Sequence, residues 1–295
     1  MIENIKKWCN YCNLPLEAQT ALIDGYEKLI FTPENKAIFD EIIQTYANDL
    51  KCDFALLREK MVSLAESANV HTYTAYAIMY VCMNPALKNH YINAGYPLDI
   101  YYETIKDVSF HMRSTKLCDG VWGTYTGWHS ALYRMEIFGF GRLQAQPIKS
   151  TIDYQGNGFN LVKGETYYIN LHIPRTETPL DYEECEKSLD KMAKFFKDIY
   201  FKDSKVLFHC QSWLLFEKHP KMLKPTSNIL KFYNRFTIID KGFYPNYNEI
   251  WRLFDAYYSG NADDFNANSS LRKEYVKLVK YGRYTGWGRG VFYYE

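Results

Sequence analysis

The stretch that most limits how this chain can fold is a strand, helix, strand run from Thr166 to Leu215. The first strand reads TYYINLHIP (Thr166 to Pro174), and its period of two sets Tyr168, Asn170 and His172 on one face, against Tyr167, Ile169, Leu171 and Ile173 on the other. The second reads KVLFHCQSWLLF (Lys205 to Phe216), apolar except for His209, Gln211 and Ser212. Strands this apolar are covered on both sides. Between them the spacing predicts a helix opening at Thr178, Pro179, Leu180 and Asp181, with Thr178 as the cap and Asp181 reaching back to complete a capping box. Leu180, Leu189, Met192, Ala193, Phe196 and Ile199 give that helix an apolar stripe. A crossover of this length joins its strands in parallel and right-handed, and such a pair places its ligand site at the carboxyl ends.

The rest of the chain is uneven. At 295 residues two domains are expected. Up to about residue 120 the pattern is helical: Leu16 to Ile30, Pro33 to Tyr46 with Thr32 as cap, Phe54 to Ala65, His71 to Met83 and Pro97 to Cys118. An aromatic loop, VWGTYTGW from Val121 to Trp128, closes this bundle. Beyond it the periods shorten. Strands are expected over Tyr133 to Ile148, Phe159 to Val162 and Thr166 to Pro174, most simply as an antiparallel meander. After the second long strand come a short helix near Glu217, a strand from Ser227 to Ile239, helices near Asn248 to Tyr258 and Leu271 to Tyr281, and a last strand from Gly286 to Tyr294. In GRYTGWGRG the glycines read as hairpin turn chemistry. The fold class is therefore α+β, a helical domain over 1–120 followed by a mixed-sheet domain over 121–295.

Composition excludes several classes. A formal net charge of +1 argues against nucleic acid as the main partner, since phosphate binding leaves a basic excess. No window approaches the apolar length of a membrane span, and the charged MIENIKKWCNYC start is unlike a secretory signal, so a cytoplasmic location is expected. Seven scattered cysteines suit a reducing compartment. The lone Cys9/Cys12 pair cannot complete a tetrahedral zinc site, and no metal is expected.

Four segments, GFGRLQAQ (Gly139 to Gln146), INLHIPRTETPL (Ile169 to Leu180), HCQSWLL (His209 to Leu215) and SNILKFYNRF (Ser227 to Phe236), resemble in order and spacing a bacterial acyltransferase family with a helical N-terminal domain and a GNAT-like C-terminal domain. The resemblance implies transfer of an acyl group from acetyl-CoA or another acyl-CoA to an amine or hydroxyl of a small molecule or peptide. It implies cofactor contacts at Ile173, Arg175, Thr178, Leu180 and Arg142, where helix-start amides receive the pyrophosphate. His172 is then the base, Ser212 the oxyanion or leaving-group donor and Tyr233 the acid for the thiolate, while Gln144, Asn170, His209 and Trp213 line the acceptor side. Each has a plainer reading: His172 and His209 as hydrogen-bonded core histidines, Ser212 bonding its own backbone, Trp213 as a wall, and Arg142 paired with Glu136. The turn departs from the family's glycine-bearing phosphate loop. It has no glycine, and Glu177, Asp181, Glu183 and Glu184 face only Arg175. The competing class is a non-catalytic small-ligand-binding protein on the same scaffold. The acceptor, the acyl length and the oligomeric state are not specified by the sequence.

Overall fold

The computed structural model describes residues 1–125, 127–202 and 204–294, and the chain divides into two compact units, Met1–Gly139 and Phe140–Glu295. Thr126, in the aromatic loop, lies outside the described residues. The division falls later than residue 120 because the aromatic loop and the segment leading to Gly139 pack on the helices. Thr124 N–H donates to the Tyr73 carbonyl, the Tyr133 hydroxyl donates to Asn84 Oδ1 at 2.7 Å, and Gly139 N–H donates to Thr104 Oγ1 at 2.8 Å.

The first unit contains α1 (Ile2–Tyr11), α2 (Leu16–Leu29), α3 (Pro33–Asn48), α4 (Phe54–Ser67), α5 (Thr72–Asn93), α6 (Leu98–Ile105), α7 (Asp107–Asp119) and α8 (His129–Tyr133), then a two-residue strand, β1 (Phe138–Gly139). The expected Pro97 to Cys118 helix is broken at Lys106 into α6 and α7. Caps begin α3 and α4: Thr32 accepts from Asn35 N–H, and Asp53 from Ala55 and Leu56 N–H. Helix α5 is the axis of the unit, with an unbroken buried run from Ala77 to Asn84. A helix apolar on every side is one surrounded by others.

In the second unit the strands are β2 (Gln144–Lys149), β3 (Tyr154–Gly156), β4 (Phe159–Leu161), β5 (Tyr167–His172), β6 (Val206–Ser212), β7 (Thr237–Tyr244) and β8 (Thr285–Tyr294). Its helices are α9 (Tyr182–Phe196), continued by a π-helical turn over Lys197–Phe201, α10 (His219–Met222), α11 (Asn228–Tyr233), α12 (Trp251–Phe254) and α13 (Ser270–Lys280). The strands of its main sheet run in the order β2-β5-β6-β8-β7. All neighbours are antiparallel except β5 and β6, the pair joined by α9. The expected crossover is thus present.

Four local expectations are corrected. The Tyr133 to Ile148 stretch is not one strand: α8 ends at Tyr133, and Arg142 lies in the loop before β2. The meander is replaced by direct antiparallel pairing of β2 with β5, while β3 and β4 form a separate hairpin between them in sequence. Ser227 to Ile239 begins as a helix, α11, because Ser227 starts a turn in which its carbonyl receives Lys231 N–H, leaving only Thr237 onward for β7. The glycines of GRYTGWGRG make no hairpin: Gly282 lies before β8 at a φ of 60°, and β8 runs straight through Gly286, Gly288 and Gly290. A Cβ on Gly288 would sit 2.1 Å from the Leu215 carbonyl oxygen, and one on Gly290 2.7 Å from Phe236 Cβ, so neighbours press against the strand itself.

Helix α9 packs on this sheet through Cys185, Ser188, Leu189, Met192 and Phe196, leaving its charges outside. Each of the large apolar side chains contributes about 1.5–3 kcal/mol by leaving water. Ser188 also fixes the helix to the loop before β2, since its Oγ accepts from Arg142 N–H at 3.0 Å and donates to the Glu184 carbonyl at 2.9 Å.

Candidate active site

The parallel ladder between β5 and β6 is short. It joins Ile169 with Phe208 and Asn170 with His209, whereas β5 is paired with β2 from Gln144↔His172 to Lys149↔Tyr167, and β6 with β8 along its whole length. Among the described residues no further ladder pair joins β5 to β6, so His172 and Gln211 lie past the last pair at the carboxyl ends. Facing residues of paired strands share a side, so Gln144, Gln146, Asn170, His172, His209, Gln211 and Arg289 all point to one face. That face is polar where a sheet is ordinarily greasy.

The polar groups are chained. His209 Nδ1 lies 2.8 Å from Asn170 Oδ1, Asn170 Nδ2 lies 3.1 Å from His172 Nε2, and His172 Nε2 lies 3.0 Å from Gln146 Oε1. Burial lowers the pKa of His209 to about 3, with the Arg289 charge and His172 adding to the effect, so its ring is neutral at ordinary pH. The Tyr168 ring stacks on it at 4.3 Å. A neutral ring facing an amide oxygen donates from Nδ1, which turns the Asn170 amide so that its N–H points at His172. His172 Nε2 therefore accepts from Asn170 when neutral, and on taking a proton it releases the Asn170 N–H and donates to Gln146 Oε1 instead. Each protonation state has a partner in place, which is what a group that gains and loses a proton needs.

Next to this chain, Arg289 holds Gln211 Oε1 from Nε at 3.2 Å and Nη2 at 2.7 Å, and its Nη1 is 3.5 Å from Asp240 of β7. Gln146 and Arg289 are not among the sequence candidates. Gln146 is visible there as the next residue on the face of Gln144, but Arg289 requires the β6–β8 register.

The remaining candidates fall elsewhere. Ser212 Oγ accepts from Leu214 N–H and so caps the turn Trp213–Leu215, the plainer of its two readings. Trp213 packs edge-on against His219 and Tyr275, beside a core that includes Phe216, Phe254 and Leu278. Tyr233 ends α11 and is not on a strand, and its pKa is raised, mostly by burial. Arg142 donates from Nη1 to the Pro174 carbonyl at 3.0 Å; it thus clasps the turn after β5 in place of the expected Glu136 pairing. Burial lowers its pKa.

The turn itself differs from expectation. Helix α9 is capped by Asp181, whose carboxylate accepts from Glu184 N–H at 3.0 Å, and not by Thr178. Aspartate caps at least as well as threonine, and here it sits next to the buried Leu180. Thr178 instead receives the Thr176 hydroxyl. Arg175 is paired with Asp255, which also takes Arg272 at 2.9 Å. Ile173 is half-buried beside the buried Pro174. Nearby, Arg235 is bound to Tyr182 and Glu186 of α9. The seven cysteines are free, and burial pushes several thiols up, Cys185 and Cys210 to about 12.

A crossover helix between two parallel strands joined by so short a ladder fits a GNAT-like domain, preceded here by a helical one. The chain belongs to the family so described: residues 3–135 match the N-acyltransferase N-terminal domain and residues 137–292 the GNAT-like C-terminal domain. Among solved structures it is similar to an acyltransferase mutant in complex with octanoyl-CoA (16% identity, TM-score 0.75, covering 99% of this chain and 88% of that one). It is also similar to an acyltransferase in complex with CoA and 10C-teicoplanin (16%, TM-score 0.72, 98% and 87%). A third is an acyltransferase in complex with decanoyl-CoA and teicoplanin (18%, TM-score 0.66, 98% and 99%). No curated protein matches the chain significantly.

Proposed function

We propose that this protein moves an acyl group from an acyl-CoA to an amine or hydroxyl of a small-molecule acceptor, with His172 as the base. The observation that carries this reading is the place of His172: at the carboxyl end of β5, where β5 leaves β6, between an amide donor and an amide acceptor. In the reaction His172 takes the acceptor's proton as its nitrogen or oxygen attacks the thioester carbonyl. The new C–N or C–O bond replaces the C–S bond, and the departing thiolate takes a proton. Asn170 and His209 orient His172, and Gln146 steadies its charged form. The structural neighbours bound to octanoyl-CoA and decanoyl-CoA favour a medium-length acyl chain, and those bound to teicoplanin favour a bulky small-molecule acceptor over a protein.

A second reading, a ligand-binding protein without turnover, is favoured by the turn from Ile173 to Asp181. Its arginine is engaged by Asp255 and its first helical amides face Asp181, Glu183 and Glu184. Calorimetric titration with acetyl-, octanoyl- and decanoyl-CoA separates the two. Binding with release of free CoA in the presence of an amine acceptor supports transfer, whereas no isotherm and no thermal shift at millimolar donor removes it.

A further inference from the structure

The helical unit contains a cluster that the proposed acyl transfer does not use. Asp107 opens α7, His111 follows one turn later on the same helix, and His129 opens α8. Their ligand atoms lie within 4.8 Å of one another. His129 Nε2 is 3.3 Å and His111 Nε2 is 3.6 Å from the same oxygen, Asp107 Oδ2. The two imidazoles stand nearly perpendicular, at 75° with centroids 4.8 Å apart, so that both turn an edge toward that oxygen. We infer that Asp107, His111 and His129 form a site for one divalent transition-metal cation, zinc foremost.

The spacing fits a cation better than a direct ion pair. Charge-assisted N–H···O bonds close to about 2.7–2.9 Å, and both contacts here are longer. Donors placed tetrahedrally around an ion at about 2.0–2.1 Å lie about 3.4 Å apart, and the two nitrogen-to-carboxylate separations, 3.3 and 3.6 Å, bracket that value. The tautomer of His129 points the same way. Its Nδ1 is 2.9 Å from the Tyr125 carbonyl and must donate to it, which leaves Nε2 as a lone pair in the neutral ring. That Nε2 is fully buried, makes no hydrogen bond among the described residues and faces a carboxylate oxygen, so two electron-rich atoms are aimed at one space. A backbone carbonyl on the far nitrogen is the outer support that metal-binding histidines use. Two imidazoles and a carboxylate suit zinc or a neighbouring first-row ion over magnesium or calcium. Three protein ligands leave a fourth position, and the side chain of His111, 27% exposed, supplies the way in.

The test reads metal and leaves acyl transfer aside. Tag-free protein, purified without chelator, is analysed by inductively coupled plasma mass spectrometry, then stripped and titrated with Co²⁺. One equivalent of metal and one equivalent of Co²⁺ showing tetrahedral visible bands are expected. His111→Ala, at the accessible ligand, should weaken Co²⁺ binding by about 100-fold or more, and His71→Ala, an exposed histidine away from the cluster, should leave it unchanged. Circular dichroism checks that each variant is folded, and Asp107→Asn serves as a second ligand change should His111→Ala unfold. The inference is overturned if stoichiometric Co²⁺ produces no bands, or if the bands survive unchanged in a folded ligand variant.

Discussion

The two units bury their polar atoms in opposite ways. In the helical unit large tyrosines fill the core and each hydroxyl is answered locally: Tyr46 by the Tyr133 carbonyl, Tyr133 by Asn84 Oδ1, Tyr101 by the Asn84 carbonyl and Tyr91 by Thr104. Burial then raises the phenol pKa values, Tyr46 and Tyr133 most of all, and keeps them neutral. In the sheet unit the polar groups gather on one face, and the opposite face of β8 is bare glycine under Leu215 and Phe236. Polar burial in the first unit holds a core together, and in the second it forms a row along one face of the sheet. The sheet is sided: one side carries the polar row, the other the close fit of Gly288 and Gly290 to Leu215 and Phe236.

The sharpest way to break this contrast is at His172. His172→Ala should lower kcat by about 10²–10⁴ while acyl-CoA binding and melting temperature stay near those of the parent, measured by steady-state kinetics, calorimetric titration and thermal unfolding. A large loss of stability instead would make the polar face a core like that of the first unit. Across the sheet, Gly288→Ala should do the reverse. Its methyl group meets backbone at Leu215, so about 3 kcal/mol of stability should go, read from the shift in a urea midpoint. In the helical unit, Tyr133→Phe leaves Asn84 Oδ1 without its donor and should cost about 1–3 kcal/mol, again without touching kcat.

Acid sharpens the same comparison more gently. Burial holds His209 near 3 and His219 near 4, both below the ordinary histidine value of 6.5, so below about pH 6.5 the unfolded chain takes up protons that the folded one refuses. Stability should therefore fall as pH drops from about 6.5 toward 4, by up to about 1.4 kcal/mol per pH unit for each histidine. His219→Gln should flatten that slope by one histidine's share. Hydrogen exchange followed by mass spectrometry should show peptides of β6 and α10 losing protection before those of α5, and uniform loss would refute the assignment.

Much of this arrangement was legible in the sequence, for physical reasons that also mark the limits. The β5, α9, β6 run announced itself because its periods are long and its helix is amphipathic. His172 stood out because polar residues at alternating strand positions are costly unless used. The helix start slipped from Thr178 to Asp181 because two good caps lay three residues apart, and only the burial of Leu180 chose between them. SNILKFYNRF read as a strand through its aromatic and β-branched residues, although tertiary packing made its first half a helix. Asp107 and His111, four residues apart on one helix, were not singled out in the sequence, where no metal was expected. His129 comes after an aromatic loop, and only folding brings it to them.

The sheet order has a consequence for how this protein is made. Strand β8 follows β7 in the chain but is inserted between β6 and β7. The helical unit can assemble as soon as its own residues emerge, whereas β6 keeps one edge unpaired until residues 285–294 have left the ribosome. At about 5–20 residues per second, the strand bearing His209 waits several seconds or more with a bare apolar edge. During synthesis, the half of the molecule that carries the proposed chemistry is the half that most needs protection from sticking to its neighbours.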